Sequence, residues 1–85
     1  MNADRLTEKQ LAFLRYVWDY TLAHGHQPSF KEIGAELGIK NRSALVYYVL
    51  HLAKKGYVEY EAFDRRIRFL KTPQGTPFQG LRHVA

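Results

Sequence analysis

Two four-residue boxes fix where helices begin in this chain. Thr7-Glu8-Lys9-Gln10 and Ser29-Phe30-Lys31-Glu32 each set a hydroxyl three residues ahead of a side chain that can return to the capping amide. Such a cap is worth about 1 kcal/mol, enough to define the start of a short helix. After the first box, Leu11, Leu14, Val17, Trp18, Thr21 and Leu22 recur at steps of three and four, which is one helical face. Leu6 and Leu11 are spaced as a hydrophobic staple, and Gly25 can take the positive φ that ends a helix. After the second box, Phe30, Ile33 and Leu37 form the buried face and Gly38 closes the helix. Gly34 lies within it, where a missing side chain lets another helix approach closely, at a cost of about 1 kcal/mol in helix propensity.

The turn Gly38-Ile39-Lys40 leads to Asn41, a good cap for a third helix whose core stripe is Leu45, Tyr48, Val49, Leu52 and Ala53. Lys54 and Lys55 suit its negative C-terminal end, and Gly56 stops it. Tyr57 to Glu61 and Arg66 to Leu70 then alternate as two strands joined by Ala62-Phe63-Asp64-Arg65, short enough for a hairpin. The expected fold is mainly α with a β-hairpin, a winged helix-turn-helix with three helices before a two-stranded wing. Residues 72–80 carry two prolines and two glycines in nine positions, so 1–71 reads as the domain and 72–85 as a tail or linker.

Composition narrows the function classes. With no cysteine, neither a disulfide framework nor a thiolate metal site is available. No apolar run approaches a bilayer span and no signal peptide is visible, so the expectation is a soluble cytoplasmic protein without a membrane partner. Residues 1–39 carry a net charge of −1, and residues 40–85 carry +6. That asymmetry points the second half toward a polyanion. His24 and His26 flank Gly25 without a third ligand nearby, and Ser29, Ser43 and the four histidines form no nucleophile–base set. No cofactor, small-molecule ligand or enzymatic activity is expected.

The run Leu6 to Gln10, then Gly25, Pro28-Ser29, Glu32-Ile33 and Leu37-Gly38-Ile39, resembles the N-terminal DNA-binding domain of LexA repressors. The likeness continues through Leu52-Ala53-Lys54-Lys55-Gly56-Tyr57-Val58 and Arg65 to Ile67-Arg68-Phe69-Leu70, covering about residues 6–70. The resemblance implies that the third helix enters the major groove of an operator, that the hairpin is the wing, and that a dimer represses damage-response genes. It also implies a following Ser–Lys self-cleaving domain, absent from residues 72–85, whose Gly80 to Ala85 are only loosely similar to the stretch before the family's cleavage bond. A stand-alone repressor and the DNA-binding piece of a longer regulator both fit. Where the family often has polar residues on the exposed face of that helix, this chain has Arg42, Ser43, Ala44, Val46, Tyr47, Leu50 and His51.

Asn41, Arg42, Ser43, Ala44, Val46 and Tyr47 are the expected readers of base edges, because the start of such a helix points into the groove. Arg42 suits a two-bond grip on guanine, Ala44 and Val46 suit thymine methyls, and Asn41 serves either as reader or as cap. Val46, Tyr47 and Leu50 have an alternative as apolar contacts to helix 1 or another subunit, the reading preferred for Leu50. Ser29, Lys31, Lys40, Lys54, Lys55, Arg65 and Arg66 are the expected phosphate contacts, a set giving a salt slope of about −5. Phe63 is expected to fold back on the hairpin rather than wedge into DNA. The partner is double-stranded DNA, with a homodimer on two half-sites. The rival is a winged helix for protein contact through Val46, Tyr47, Leu50 and Phe63.

Overall fold

A computed structural model describes residues 5–77, in which three helices precede a hairpin: α1 (Glu8–His24), α2 (Phe30–Leu37), α3 (Arg42–Lys54), β1 (Val58–Glu61) and β2 (Arg66–Phe69). Both capping boxes close. Thr7 Oγ1 accepts from Gln10 N at 3.1 Å while Gln10 Oε1 accepts from Thr7 N at 3.1 Å. Ser29 and Glu32 exchange the same pair at 3.1 and 2.9 Å. Gly25 and Gly38 end α1 and α2 in the left-handed region, at φ 81° and 73°. Residues 1–4 and 78–85 lie outside the described residues, so the second half of the expected 72–85 tail is not described.

The core sits where the three helices and the wing converge: Phe13, Leu14 and Val17 from α1, Phe30 and Ile33 from α2, Leu45, Val49 and Leu52 from α3, with Tyr57, Val58 and Ile67. Two expectations for α1 need correction. Leu11 and Leu22 are 39% and 53% exposed, and Gln10 and Phe13 take the buried places instead. At about 100° per residue, the arc through Gln10, Phe13, Leu14 and Val17 leaves Leu11 and Leu22 roughly a quarter-turn away. Hydrophobicity alone put those leucines inside. The staple fails for the same reason, since Leu6 packs on the core but Leu11 turns outward.

Gly34 is packed closely, but chiefly by the turn. A Cβ there would lie 2.6 Å from the Ile39 carbonyl oxygen and 3.6 Å from Leu45 Cδ1 of α3. Gly34 O in turn accepts from Gly38 N and, at 2.9 Å, from Ile39 N. The chain thus doubles back tightly from α2, which sets the angle at which α3 departs.

The strands are each one residue shorter than the pattern predicts. Tyr57 precedes β1, its N–H donating to Leu52 O while its carbonyl accepts from Leu70 N and Lys71 N, so backbone pairing continues irregularly. The antiparallel register pairs Val58 with Phe69, Glu59 with Arg68, Tyr60 with Ile67 and Glu61 with Arg66. Alternation sends the apolar pairs to one face and the charged pairs to the other. Phe69 meets Trp18 of α1 edge-on at 5.0 Å, which ties the wing to the helices. Beyond β2, Thr72 N donates to Thr76 O and Lys71 bridges to Pro77, forming a turn with Pro73 buried.

Candidate nucleic-acid interface

The outward side of α3 follows from its inward one. With Leu45, Val49 and Leu52 buried, 100° steps put Ser43, Tyr47, Leu50 and Lys54 on the opposite stripe, and all four are exposed. Ala44 and Val46 are only half-exposed, and Val46 packs against the core. The Tyr47 ring rests on His51 one turn later at 4.2 Å, which restricts its rotamers. Leu50, expected to be covered by α1 or another subunit, is 52% exposed.

At the start of α3, Asn41 Oδ1 accepts from Ser43 N at 2.7 Å. The cap therefore takes the acceptor of this side chain and leaves the NH2 donors for other work. Arg42 is exposed, yet its guanidinium lies 5.7 Å above the Phe30 ring, and Phe30 also stacks with Tyr60 of β1 at 6.3 Å. One ring thus links the first residue of α3, the first residue of α2 and the wing. A cation over an aromatic face at an exposed site is worth about 0.5–1 kcal/mol, which biases Arg42 toward one orientation.

The expected phosphate contacts divide. Lys31, Lys40 and Lys54 are exposed. Lys55 is not available in the same way: its ammonium donates to Gln10 Oε1 at 2.7 Å and to the Arg5 carbonyl at 2.8 Å, joining the end of α3 to the start of α1. Ser29 spends its amide and the acceptor side of its hydroxyl on Glu32, leaving only the hydroxyl proton for another partner. The Glu32 carboxylate is held below its ordinary pKa, first by the Ser29 backbone hydrogen bond and also by Tyr20 and Ser29 side chains. A negative charge therefore already occupies the helix end where an anion was expected.

The wing is charge-balanced rather than basic. Residues 58–69 hold Arg65, Arg66 and Arg68 against Glu59, Glu61 and Asp64. Arg68 pairs with Glu59 at 3.3 Å, and Arg66 stands opposite Glu61 in register. Phe63 at the tip is 92% exposed, so it does not fold back on the hairpin as expected. Beside the turn that joins the strands, Gln27 Nε2 donates to Arg65 O at 2.8 Å, and Gln27 Oε1 accepts from Ile67 N at 2.7 Å. An open groove of about 490 Å³ runs between this clip and α2, lined by Ser29, Glu32, Asp64, Arg65 and Arg66 among others. Composition and spacing gave no sign of the Gln27 clip or the Lys55 latch, because their partners lie 38 to 50 residues away.

Three helices, a tight glycine turn into α3 and a two-stranded wing match a known architecture in order and residues. The family model described as the LexA DNA binding domain matches residues 3–66. The chain belongs to that family. It is 37% identical over 71 residues to a protein named LexA repressor from Desulfatibacillum aliphaticivorans, covering 82% of this chain and 35% of the relative. A LexA repressor from Pelotomaculum thermopropionicum is 36% identical over 73 residues, 85% of this chain and 36% of that protein. One from Thermobifida fusca is 29% identical over 75 residues, 88% of this chain and 30% of the relative. The chain thus spans about a third of the length of the curated relatives it matches.

The family match spans all three helices and the wing as far as the first residue of β2. Among the described residues, no group of three His, Cys, Asp or Glu side chains could hold a metal ion. His24 and His26 instead pack on Tyr20 at 3.9 and 5.7 Å. No helix among the described residues is long and apolar enough to cross a membrane.

Proposed function

We propose that this LexA-type domain binds double-stranded DNA in a sequence-selective way and represses transcription by occupying an operator, α3 lying in the major groove. The observation that carries this reading is the exposed stripe of α3, with Arg42 steadied over Phe30 at one end and Lys54 at the other. Base contact falls to Arg42, Ser43 and Tyr47, the Asn41 NH2 group, and the half-exposed Ala44 and Val46 at the margins. Lys31, Lys40, Lys54, Arg65 and Arg66 meet phosphates. Ser29 and Lys55 act inside the fold. Two copies on a two-half-site operator repeat the same contact.

The charge geometry lowers the expected salt dependence. With Lys55 and Ser29 engaged internally, the five cations Lys31, Lys40, Lys54, Arg65 and Arg66 neutralise about five phosphates per domain, for a log–log salt slope of about −4.5. A selection from random duplexes, followed by a salt series on the winner, tests the reading. Arg42→Ala is expected to relax preference at one base position by about 1–3 kcal/mol, whereas Lys54→Ala weakens all duplexes alike. No base preference together with a flat salt response would sink it. That outcome would favour protein contact instead, through Tyr47, Leu50 and Phe63, which are 58%, 52% and 92% exposed.

A further inference from the structure

We infer that Gln27 is the positioning residue of the wing, fixing the place from which Arg65 and Arg66 meet a bound duplex. A two-stranded hairpin offers few internal restraints, and isolated ones are marginal in water. Here the outer edge of β2 is closed by a side chain. Gln27 Nε2 donates to Arg65 O at 2.8 Å and Gln27 Oε1 accepts from Ile67 N at 2.7 Å. A glutamine amide carries the same donor and acceptor as one peptide unit, so Gln27 stands in for a single residue of a third strand.

The clip grips the most constrained point of the hairpin. Arg65 has φ 56°, the only positive φ of a non-glycine residue among the described residues, and its carbonyl is the one Gln27 holds. Such a conformation is disfavoured for arginine and persists only where the surroundings determine it. Gln27 is itself anchored by the next residue, since Pro28 is fully buried. The path runs from the α1–α2 loop through one amide to the backbone on both sides of Arg66. Losing the clip frees Arg65 to leave the left-handed region and lets the turn end of the hairpin shift, while Val58 and Ile67 in the core and the Phe69–Trp18 contact keep its other end on the helices.

This inference rests on the DNA-binding reading, and its test separates the two. Amide exchange on the free chain is the first measurement. Gln27→Ala should raise exchange at Ile67 about tenfold while the amides of α1 and α3 keep their protection. Duplex binding is the second. The same variant should bind the selected duplex roughly three- to tenfold more weakly, with lost protection confined to the wing side of a backbone-cleavage footprint.

Coupling and pH supply readouts that a purely structural role leaves unmoved. If Gln27 acts through Arg65, adding Gln27→Ala to Arg65→Ala should cost less than Gln27→Ala alone. Gln27→Glu keeps the acceptor for Ile67 N–H but sets a carboxylate against the Arg65 carbonyl. Its affinity relative to wild type should recover in acid, where the protonated carboxyl regains a donor. Unchanged exchange at Ile67, additive effects with Arg65→Ala, or an unchanged footprint would each overturn the inference. A wild-type chain that binds no duplex would refute the DNA reading, and with it the positioning role, whatever exchange shows at Ile67.

Discussion

Replacing Gly34 with alanine pits helix propensity against a backbone contact, and the structure decides between them. In an open helix the substitution would stabilise by about 1 kcal/mol, because glycine loses the most backbone entropy on folding. Here the added Cβ would stand 2.6 Å from the Ile39 carbonyl oxygen, with ordinary contact beginning only at 3.4 Å. That oxygen belongs to the turn, and the turn is tied back by the Ile39 N–H donating to Gly34 O at 2.9 Å. Relief therefore needs a backbone shift of about 0.8 Å in a closed loop of hydrogen bonds. Overpacking costs about 1–3 kcal/mol, and a backbone obstacle belongs in the upper part of that range. After the propensity gain, the net destabilisation is about 1–2 kcal/mol, a fall in melting temperature of about 5–15 °C for a domain of this size. Because Ile39 sits just before Lys40 and Asn41, the shift also tilts α3, so duplex affinity should fall even where the variant is fully folded. Thermal unfolding by circular dichroism and duplex titration well below the midpoint measure the two effects. A Gly34→Ala chain as stable as wild type, binding equally well, would refute the packing argument.

Two further changes separate groups that the sequence treats alike. Lys55→Ala removes charge-assisted bonds to Gln10 and Arg5 and should lower stability by about 1 kcal/mol, leaving the salt slope unchanged. Lys54→Ala should leave the melting temperature within error and make the slope shallower by about 0.9. Matching melts combined with salt series on both variants check this, and a reversed pattern would return Lys55 to the phosphate contacts. The lowered pKa of Glu32 means that its ionised form stabilises the fold above the ordinary carboxylate range, and this contribution fades as pH falls through the lowered value. The stability gap between wild type and Glu32→Gln should accordingly narrow as melts are taken from neutral pH into acid, below the ordinary carboxylate range.

Helix ends were legible because capping is local chemistry. Thr7, Ser29, Gly25 and Gly38 act within four residues of themselves, and no distant packing overrides them. Which face of α1 is buried was less legible, since Leu11, Phe13 and Leu22 are equally apolar and only the position of the other helices chooses among them. The strand pattern transferred well because its alternation matches the register that pairs Glu59 with Arg68 and Glu61 with Arg66. Net charge was informative in sum and misleading in place. Nothing in a list of arginines shows that Arg68 will meet Glu59, or that Phe63 will stand clear of the hairpin.

The polar residues assigned from sequence to a DNA surface fall into two populations, and the difference is mechanical. Asn41, Ser29 and Lys55 are spent wholly or partly on the ends of helices, where unsatisfied backbone groups compete with any ligand for the same side chains. Lys31, Lys40 and Lys54 keep their ammonium groups outward. The first population determines where α3 starts and how it leans on α1 and α2, and thereby where the second population stands. A loss of duplex binding on mutating a polar residue is therefore not evidence of contact. Replacing Ser29 or Lys55 should lower affinity and stability together, in proportion, replacing Asn41 should lower affinity by more than its loss of capping accounts for, and replacing the outward lysines should change salt dependence at constant stability. The charge-balanced wing sharpens the same point. Its contribution to binding depends less on how many arginines it carries than on where the turn between its strands is held, and that is set by an uncharged glutamine 38 residues upstream of Arg65.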